Sequence, residues 1–152
     1  MAAVAPSQPA DPGFAARTAA AFHAQGLMAT IGGRLVAIEP GRCVIEADFH
    51  PGLTQHHGLF HAGVLTTLAD NACGFAAMSL LPKGGEVLSV EFKVSFLRPA
   101  AGLVAVARGE VVKPGRTLSF CRADVVVRDA AGAETLVAAM TATMMAAAPE
   151  KR

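Results

Sequence analysis

The stretch from Leu59 to Leu81 constrains the fold most. It is the most apolar run in the chain, and Pro82 ends it because proline cannot continue a helix. Ala62 to about Leu80 reads as a helix of about five turns. Leu65, Leu68, Ala69, Ala72, Phe75, Ala76 and Ser79 recur at helical spacing, and the remaining faces are mostly small or apolar. A helix that is apolar nearly all round has to be enclosed. The run is long enough to span a bilayer, but His61, Asp70 and Asn71 are costly at membrane depth, so a helix inside a protein is expected. Asp70 is the only acid in this helix. A carboxylate among Leu68, Ala69, Ala72 and Ala76 is expensive to bury without a partner. Either a neighbouring hydroxyl or amide caps it, or it faces a wet interface, or it does chemistry.

The rest of the chain supplies something to enclose that helix. Asp11-Pro12 is a helix-start signal, and a helix from about Gly13 to Gln25, ended by Gly26, should follow. Arg34–Glu39 and Arg42–His50 flank the turn dipeptide Pro40-Gly41 and read as a hairpin, with Cys43, Ile45, Ala47 and Phe49 on its apolar side. After the long helix come four more strand signals, 86–98, 103–113, 116–128 and 134–145, parted by Pro-Gly and Asp-Ala-Ala-Gly turns. In the first of them Leu88, Val90, Phe92, Val94 and Phe96 alternate with Ser89, Glu91, Lys93 and Ser95, which predicts one apolar face. The fold class is therefore α+β, a curved antiparallel sheet wrapped around a long central helix. One domain over 13–146 is expected, with a disordered lead-in at 1–12 and a flexible tail at 147–152.

Composition narrows the function classes. The chain has 152 residues, 53% of them hydrophobic and 16% charged, which is apolar for a small monomer and implies surface buried in a homo-oligomer. A net charge of +1 with scattered basic residues shows no stripe for nucleic acid or an anionic membrane. The N-terminus lacks the pattern of a secretory signal. Cys43, Cys73 and Cys121 form no CxxC and sit in apolar runs, so buried free thiols in the cytoplasm are expected. His56, His57 and His61 have no Cys or second carboxylate in their segment, so no metal site is expected.

The element order, with Gln55-His56-His57-Gly58-Leu59-Phe60-His61-Ala62-Gly63 running into the helix that carries Asp70, resembles the hotdog-fold acyl-CoA thioesterases of the PaaI-like branch. Ser89-Val90-Glu91-Phe92, Phe96-Leu97-Arg98-Pro99 and Lys113-Pro114-Gly115-Arg116-Thr117 match as well. The resemblance implies hydrolysis of an acyl-CoA to a free acid and CoA, with no cofactor; an aromatic or medium-chain acyl group would suit the apolar faces. It makes Asp70 the nucleophile or general base, and the Ala62 backbone N–H the donor that holds the thioester oxygen. The family pattern is His-Gly-Gly where this chain has His61-Ala62-Gly63, a departure that keeps the N–H but adds a methyl group.

By the same resemblance Gln55 orients water or the thioester; as a bare residue it is equally a loop-capping amide. His61 supports the loop through a structural hydrogen bond or serves acid–base work. Gly58 and Gly63 permit close backbone approach. Ser89 contacts the water, or is an ordinary polar strand residue. Arg116 and Arg98 meet the phosphates of CoA, or are exposed loop arginines. Gly74 falls where some relatives place a water-binding hydroxyl.

Ala62 and Asp70 are eight residues apart, roughly 12 Å along a helix axis at 1.5 Å per residue. One thioester carbonyl cannot touch both on one helix. If both act they come from two subunits, which predicts a dimer with shared sites; the resemblance adds pairing into a tetramer. The rival class is a non-catalytic acyl-CoA-binding or regulatory hotdog module.

Overall fold

The computed structural model describes residues 8–148. Helices α1 (Phe14–His23) and α2 (Gly26–Ile31) lead into β1 (Gly33–Glu39) and β2 (Arg42–Asp48). A short 3-10 turn (Pro51–Leu53) precedes the long helix α3 (Ala62–Met78), and β3 (Glu86–Phe96), β4 (Val104–Lys113), β5 (Leu118–Arg128) and β6 (Glu134–Ala147) complete the chain. The strands form one six-stranded antiparallel sheet in the order β1-β2-β4-β5-β6-β3. Helix α3 lies across it, packed against every strand. This is the wrapped-helix architecture expected from the sequence.

The core fills the space between α3 and the sheet. Leu65, Leu68, Ala69, Ala72, Cys73 and Ala76 on α3 meet Ile45, Ala107, Val125 and Met140 from the strands, all nearly inaccessible to solvent. Small residues let the two layers approach closely. The limit is Gly109 on β4, where a Cβ would lie 2.4 Å from the Ala72 carbonyl group. No side chain fits there, so Gly109 sets how deeply α3 is seated.

Several boundaries differ from the sequence reading. Gly26 does not simply end the first helix; it opens α2, which stops at Gly32 in the left-handed conformation (φ 67°). Asp11 falls inside the expected lead-in but is fixed: one carboxylate oxygen accepts the Gly13 N–H at 2.9 Å and the other pairs with Arg17 at 3.1 Å. Arg17 in turn donates to the carbonyls of Met78, Leu81 and Gly85, which ties α1 to the end of α3. Residues 1–7 of the lead-in and 149–152 of the tail lie outside the described residues, while Ala147 belongs to β6.

The alternation expected along β3 is also corrected. Ser89 pairs with Met144 and Glu91 with Thr143, so Val90 is an extra residue, a β-bulge. The bulge reverses the alternation. Val87 and Ser89 before it share the helix-facing side with Phe92, Val94 and Phe96 after it, and Leu88 turns to the opposite face. The outer face of the sheet carries linked ion pairs, Arg34–Glu46–Arg128–Glu134–Arg108. Val106, opposite Glu46 and Val126 in the register, is fully buried among these long side chains. Among the described residues no helix is long and apolar enough to cross a membrane.

Candidate active site

The half-buried carboxylate of Asp70 accepts a hydrogen bond from the Ser89 hydroxyl, 2.7 Å from Oδ1. The bulge at Val90 creates this contact. Without it, Ser89 would point away from the face that Phe92 and Val94 present to α3. Ser89 Oγ also lies 3.5 Å from the Met144 sulfur. Asp70 is thus capped by a hydroxyl, and its Oδ2 has no hydrogen-bond partner among the described residues. Both groups line an open groove of about 250 Å³ between α1, α3 and the start of β3.

The start of α3 is built by the loop before it. His61 is the N-cap, with extended backbone (φ −66°, ψ 139°). Its Nδ1 accepts the Gly63 N–H at 2.8 Å, and its carbonyl accepts from Val64 and Leu65. An accepting Nδ1 places the ring proton on Nε2, and the imidazole serves as a structural cap. The Ala62 N–H, at the first helical position, has no acceptor among the described residues and lies at the positive end of the helix dipole. Ala62 has helical backbone, and no residue but glycine has positive φ among those described. The alanine in the His-Gly-Gly position therefore costs no backbone strain, and it is exposed. Gly63 is needed for a different reason: a Cβ there would stand 3.0 Å from His61 Nδ1 and crowd the cap.

Gln55 takes the loop-capping role. Its side-chain oxygen accepts the His57 N–H, and its backbone pairs with Leu59 and Gly58 to close a turn. Gly58 has φ 77°, so this turn calls for glycine by conformation. Phe60 N–H to Ala100 and His61 N–H to Leu53 anchor the loop beside the end of β3. Arg98 at that same end donates to the Leu136 carbonyl at 3.0 Å. Arg116 is exposed in the β4–β5 turn at the other end, since Leu118, Met145 and Leu88 align across the sheet. Within one chain, then, Ser89 and Asp70 come together, His61 and Gly63 support Ala62, and Arg98 and Arg116 stand apart. Helix α3 is continuous from Ala62 to Asp70, so the free N–H and the carboxylate are separated by about 12 Å.

The cysteines are buried. Burial pushes the Cys43 and Cys121 thiols up to about 12, and raises Cys73 further with help from the charges of Cys121 and Asp70. None is a nucleophile at neutral pH. The groove-lining residues Gln25 and Asn71 were not singled out from sequence. The apolar doublet Val87-Leu88 before Ser89 was the available signal for the bulge.

The family model described as "Domain of unknown function (DUF4442)" matches residues 15–146. A Halobacterium salinarum protein named "Putative esterase" is 35% identical over 115 residues, 72% of this chain and 76% of that protein. The 1,4-dihydroxy-2-naphthoyl-CoA hydrolase of Listeria monocytogenes is 26% identical over 92 residues, 60% of this chain and 75% of that enzyme. Among solved structures, a thioesterase family protein from Silicibacter pomeroyi superposes with a TM-score of 0.87 at 45% identity, covering 90% of this chain and 99% of that one. Escherichia coli PaaI, from the phenylacetic acid degradation operon, superposes at 0.77 with 19% identity, covering 90% and 95%, and shares the fold. The chain belongs to the DUF4442 family and is a hotdog-fold protein of the thioesterase family.

Proposed function

We propose that the protein hydrolyses acyl-CoA thioesters in sites shared by two subunits. The observation that carries this reading is the division of labour along α3: a free N–H at Ala62, and about 12 Å further on a carboxylate held by Ser89. Two copies of α3 side by side and antiparallel would bring one copy's N–H to the other's carboxylate. The edges of the sheet favour that arrangement. β1 is a 7-residue edge interrupted by a bulge at Val36, whereas β3 is an 11-residue edge that leaves Phe92 and Phe96 43% and 49% exposed. Antiparallel pairing of two β3 edges about a twofold axis gives one dimer with two equivalent sites. Pairing of such dimers would give the tetramer.

The chemistry follows from the two ends. The thioester carbonyl oxygen accepts the Ala62 N–H, which becomes a stronger contact as negative charge develops on that oxygen. Asp70 of the other subunit takes a proton from water as the water oxygen bonds to the carbonyl carbon. The tetrahedral intermediate then collapses, the C–S bond breaks, and CoA leaves as its thiolate. A carboxylate already accepting the Ser89 hydroxyl is a poorer nucleophile and a better-positioned base, which favours this route over an anhydride. Arg98 and Arg116 reach one CoA from different subunits, for the same geometric reason as Ala62 and Asp70. The Listeria relative, by its name, acts on an aryl-CoA, consistent with an aromatic acyl group here.

The test is a panel of short, medium, long-chain and aromatic acyl-CoAs, with released thiol as the readout and Asp70→Asn in parallel. Turnover that falls about a hundredfold or more in the variant supports the reading. Acyl-CoA binding without turnover in both forms would leave the binding module instead.

A further inference from the structure

The loop that delivers the Ala62 N–H carries the same device at both ends. His61-Ala62-Gly63 opens α3, and His50-Pro51-Gly52 opens the 3-10 turn. Each histidine has extended backbone and sits at the N-cap. Each ring accepts, through Nδ1, the N–H of the glycine two residues on, at 2.9 Å for Gly52 to His50 and 2.8 Å for Gly63 to His61. At each glycine a Cβ would stand 3.0 Å from that Nδ1. His50 lies outside the motif that runs from Gln55 to Gly63.

Backbone hydrogen bonds couple the two caps. The His50 carbonyl accepts the Leu53 N–H at 2.8 Å and closes the turn. The Leu53 side chain is buried in the core, and its carbonyl accepts the His61 N–H, also at 2.8 Å. Thr54 and Phe60 bridge between them. The placement of Ala62 thus depends on a turn that His50 holds closed.

Serine, threonine, asparagine and aspartate are the usual residues at an N-cap. Imidazole accepts at Nδ1 only while neutral; imidazolium has a proton on both nitrogens and accepts nothing. Histidine is also the side chain whose charge ordinarily changes between pH 5 and 8. The charged groups about the loop are engaged elsewhere. Arg34 and Asp48, beside His50, bond each other at 2.6 Å. Arg98 bonds the Leu136 carbonyl, and Asp70, eight residues beyond Ala62, accepts from Ser89. His56 and His57 stack on each other, ring centroids 3.9 Å apart. Among the described residues neither capping ring has a carboxylate partner, so nothing holds its charged form in place.

We propose that His50 is a positioning residue for thioester hydrolysis: its neutral ring holds the turn that aims the Ala62 N–H, and protonation of the ring releases that turn and lowers turnover. The inference rests on the thioesterase reading.

The test compares the wild-type protein with His50→Ala and His50→Asn, using the member of the acyl-CoA panel that the wild type hydrolyses fastest. Asparagine Oδ1 stands where histidine Nδ1 stands, one bond beyond Cγ, and it accepts at any pH. His50→Ala should lower kcat by about tenfold with KM changed by less than about twofold. His50→Asn should restore kcat to within about twofold of wild type. On going from about pH 8 to about pH 5.5, the wild type should lose about threefold more activity than His50→Asn. Amide hydrogen exchange across the loop should speed up in His50→Ala by about fivefold or more and stay near wild type in His50→Asn. Faster exchange in His50→Ala with unchanged kcat, equal kcat losses in the two variants, or equal pH profiles in wild type and His50→Asn would overturn the proposal and leave the thioesterase reading intact. No hydrolysis of any member of the panel by the wild type would overturn both.

Discussion

The Ser89 hydroxyl stands 2.7 Å from Asp70 Oδ1 because one extra residue, Val90, is inserted between Ser89 and the regular run of β3. A strand irregularity thus positions the one acid of an apolar helix. Relieving the bulge would turn Ser89 to the other face.

Asp70 and Ser89 should act as a coupled pair. Asp70→Asn keeps the shape and removes the base, so kcat/KM should fall by about two orders of magnitude or more. Ser89→Ala should cost about tenfold, and the double variant should be close to Asp70→Asn alone. Fully additive losses in steady-state kinetics would show that Ser89 works independently of Asp70.

Gly109 should be the least tolerant glycine of the sheet. A Cβ there lies 2.4 Å from the Ala72 carbonyl group and 2.7 Å from the Cys73 nitrogen, both backbone atoms. Gly109→Ala must push α3 off β4, at a cost of about 3 kcal/mol or more. Denaturant unfolding measures this, and a loss under about 1 kcal/mol would contradict the packing described.

The start of α3 predicts two different effects. His61→Ala removes the cap from the Gly63 N–H and should lower stability by about 1 kcal/mol. Gly63→Ala crowds His61 Nδ1 at 3.0 Å and should impair turnover through a displaced loop. Thermal unfolding with activity assays on both variants checks this. Full activity in Gly63→Ala would mean that the cap geometry is not used.

Acid should weaken the outer face of the sheet. Arg34 hydrogen-bonds Asp48, and Arg108 hydrogen-bonds Glu134, and each contact holds its carboxyl below its ordinary value of 3.8 or 4.5. A lowered carboxylate stabilises the fold above its unfolded value, and that stability is lost as pH falls through the folded value. The melting temperature should therefore drop as pH falls below about 4.5, and by less in Asp48→Asn and Glu134→Gln. The groups are exposed, so the effect is modest. Identical pH profiles in all three proteins would contradict it.

Much of this was legible before the structure. The all-apolar helix with one acid, followed by four strand-length runs, is enough for a sheet that encloses a helix, because periodicity reports which faces must be buried. Asp70 stood out because charge in that setting is costly. What stayed hidden depends on register and on turns. The Val90 bulge moves one residue's worth of pairing, and periodicity over the whole strand averages it away, although the Val87-Leu88 doublet marks it. Sequence leaves the role of Gln55 open because its side chain bonds the backbone two residues on, a contact with no sequence pattern beyond the residue type. Gly26 was misread because glycine serves both before and after helices.

The central claim, that one subunit's Ala62 N–H and the other's Asp70 form each site, is tested by subunit complementation. Ala62→Pro removes the N–H at a first helical position where proline is tolerated, and His61 already has the extended backbone that a following proline requires. Ala62→Pro and Asp70→Asn should each fold and each be nearly inactive. Mixed by co-expression, half of the dimers carry one subunit of each kind, and each of these has one intact site, so activity should return to about one quarter of wild type. No recovery in a mixture shown to contain heterodimers would place both groups in one subunit's site and contradict the account.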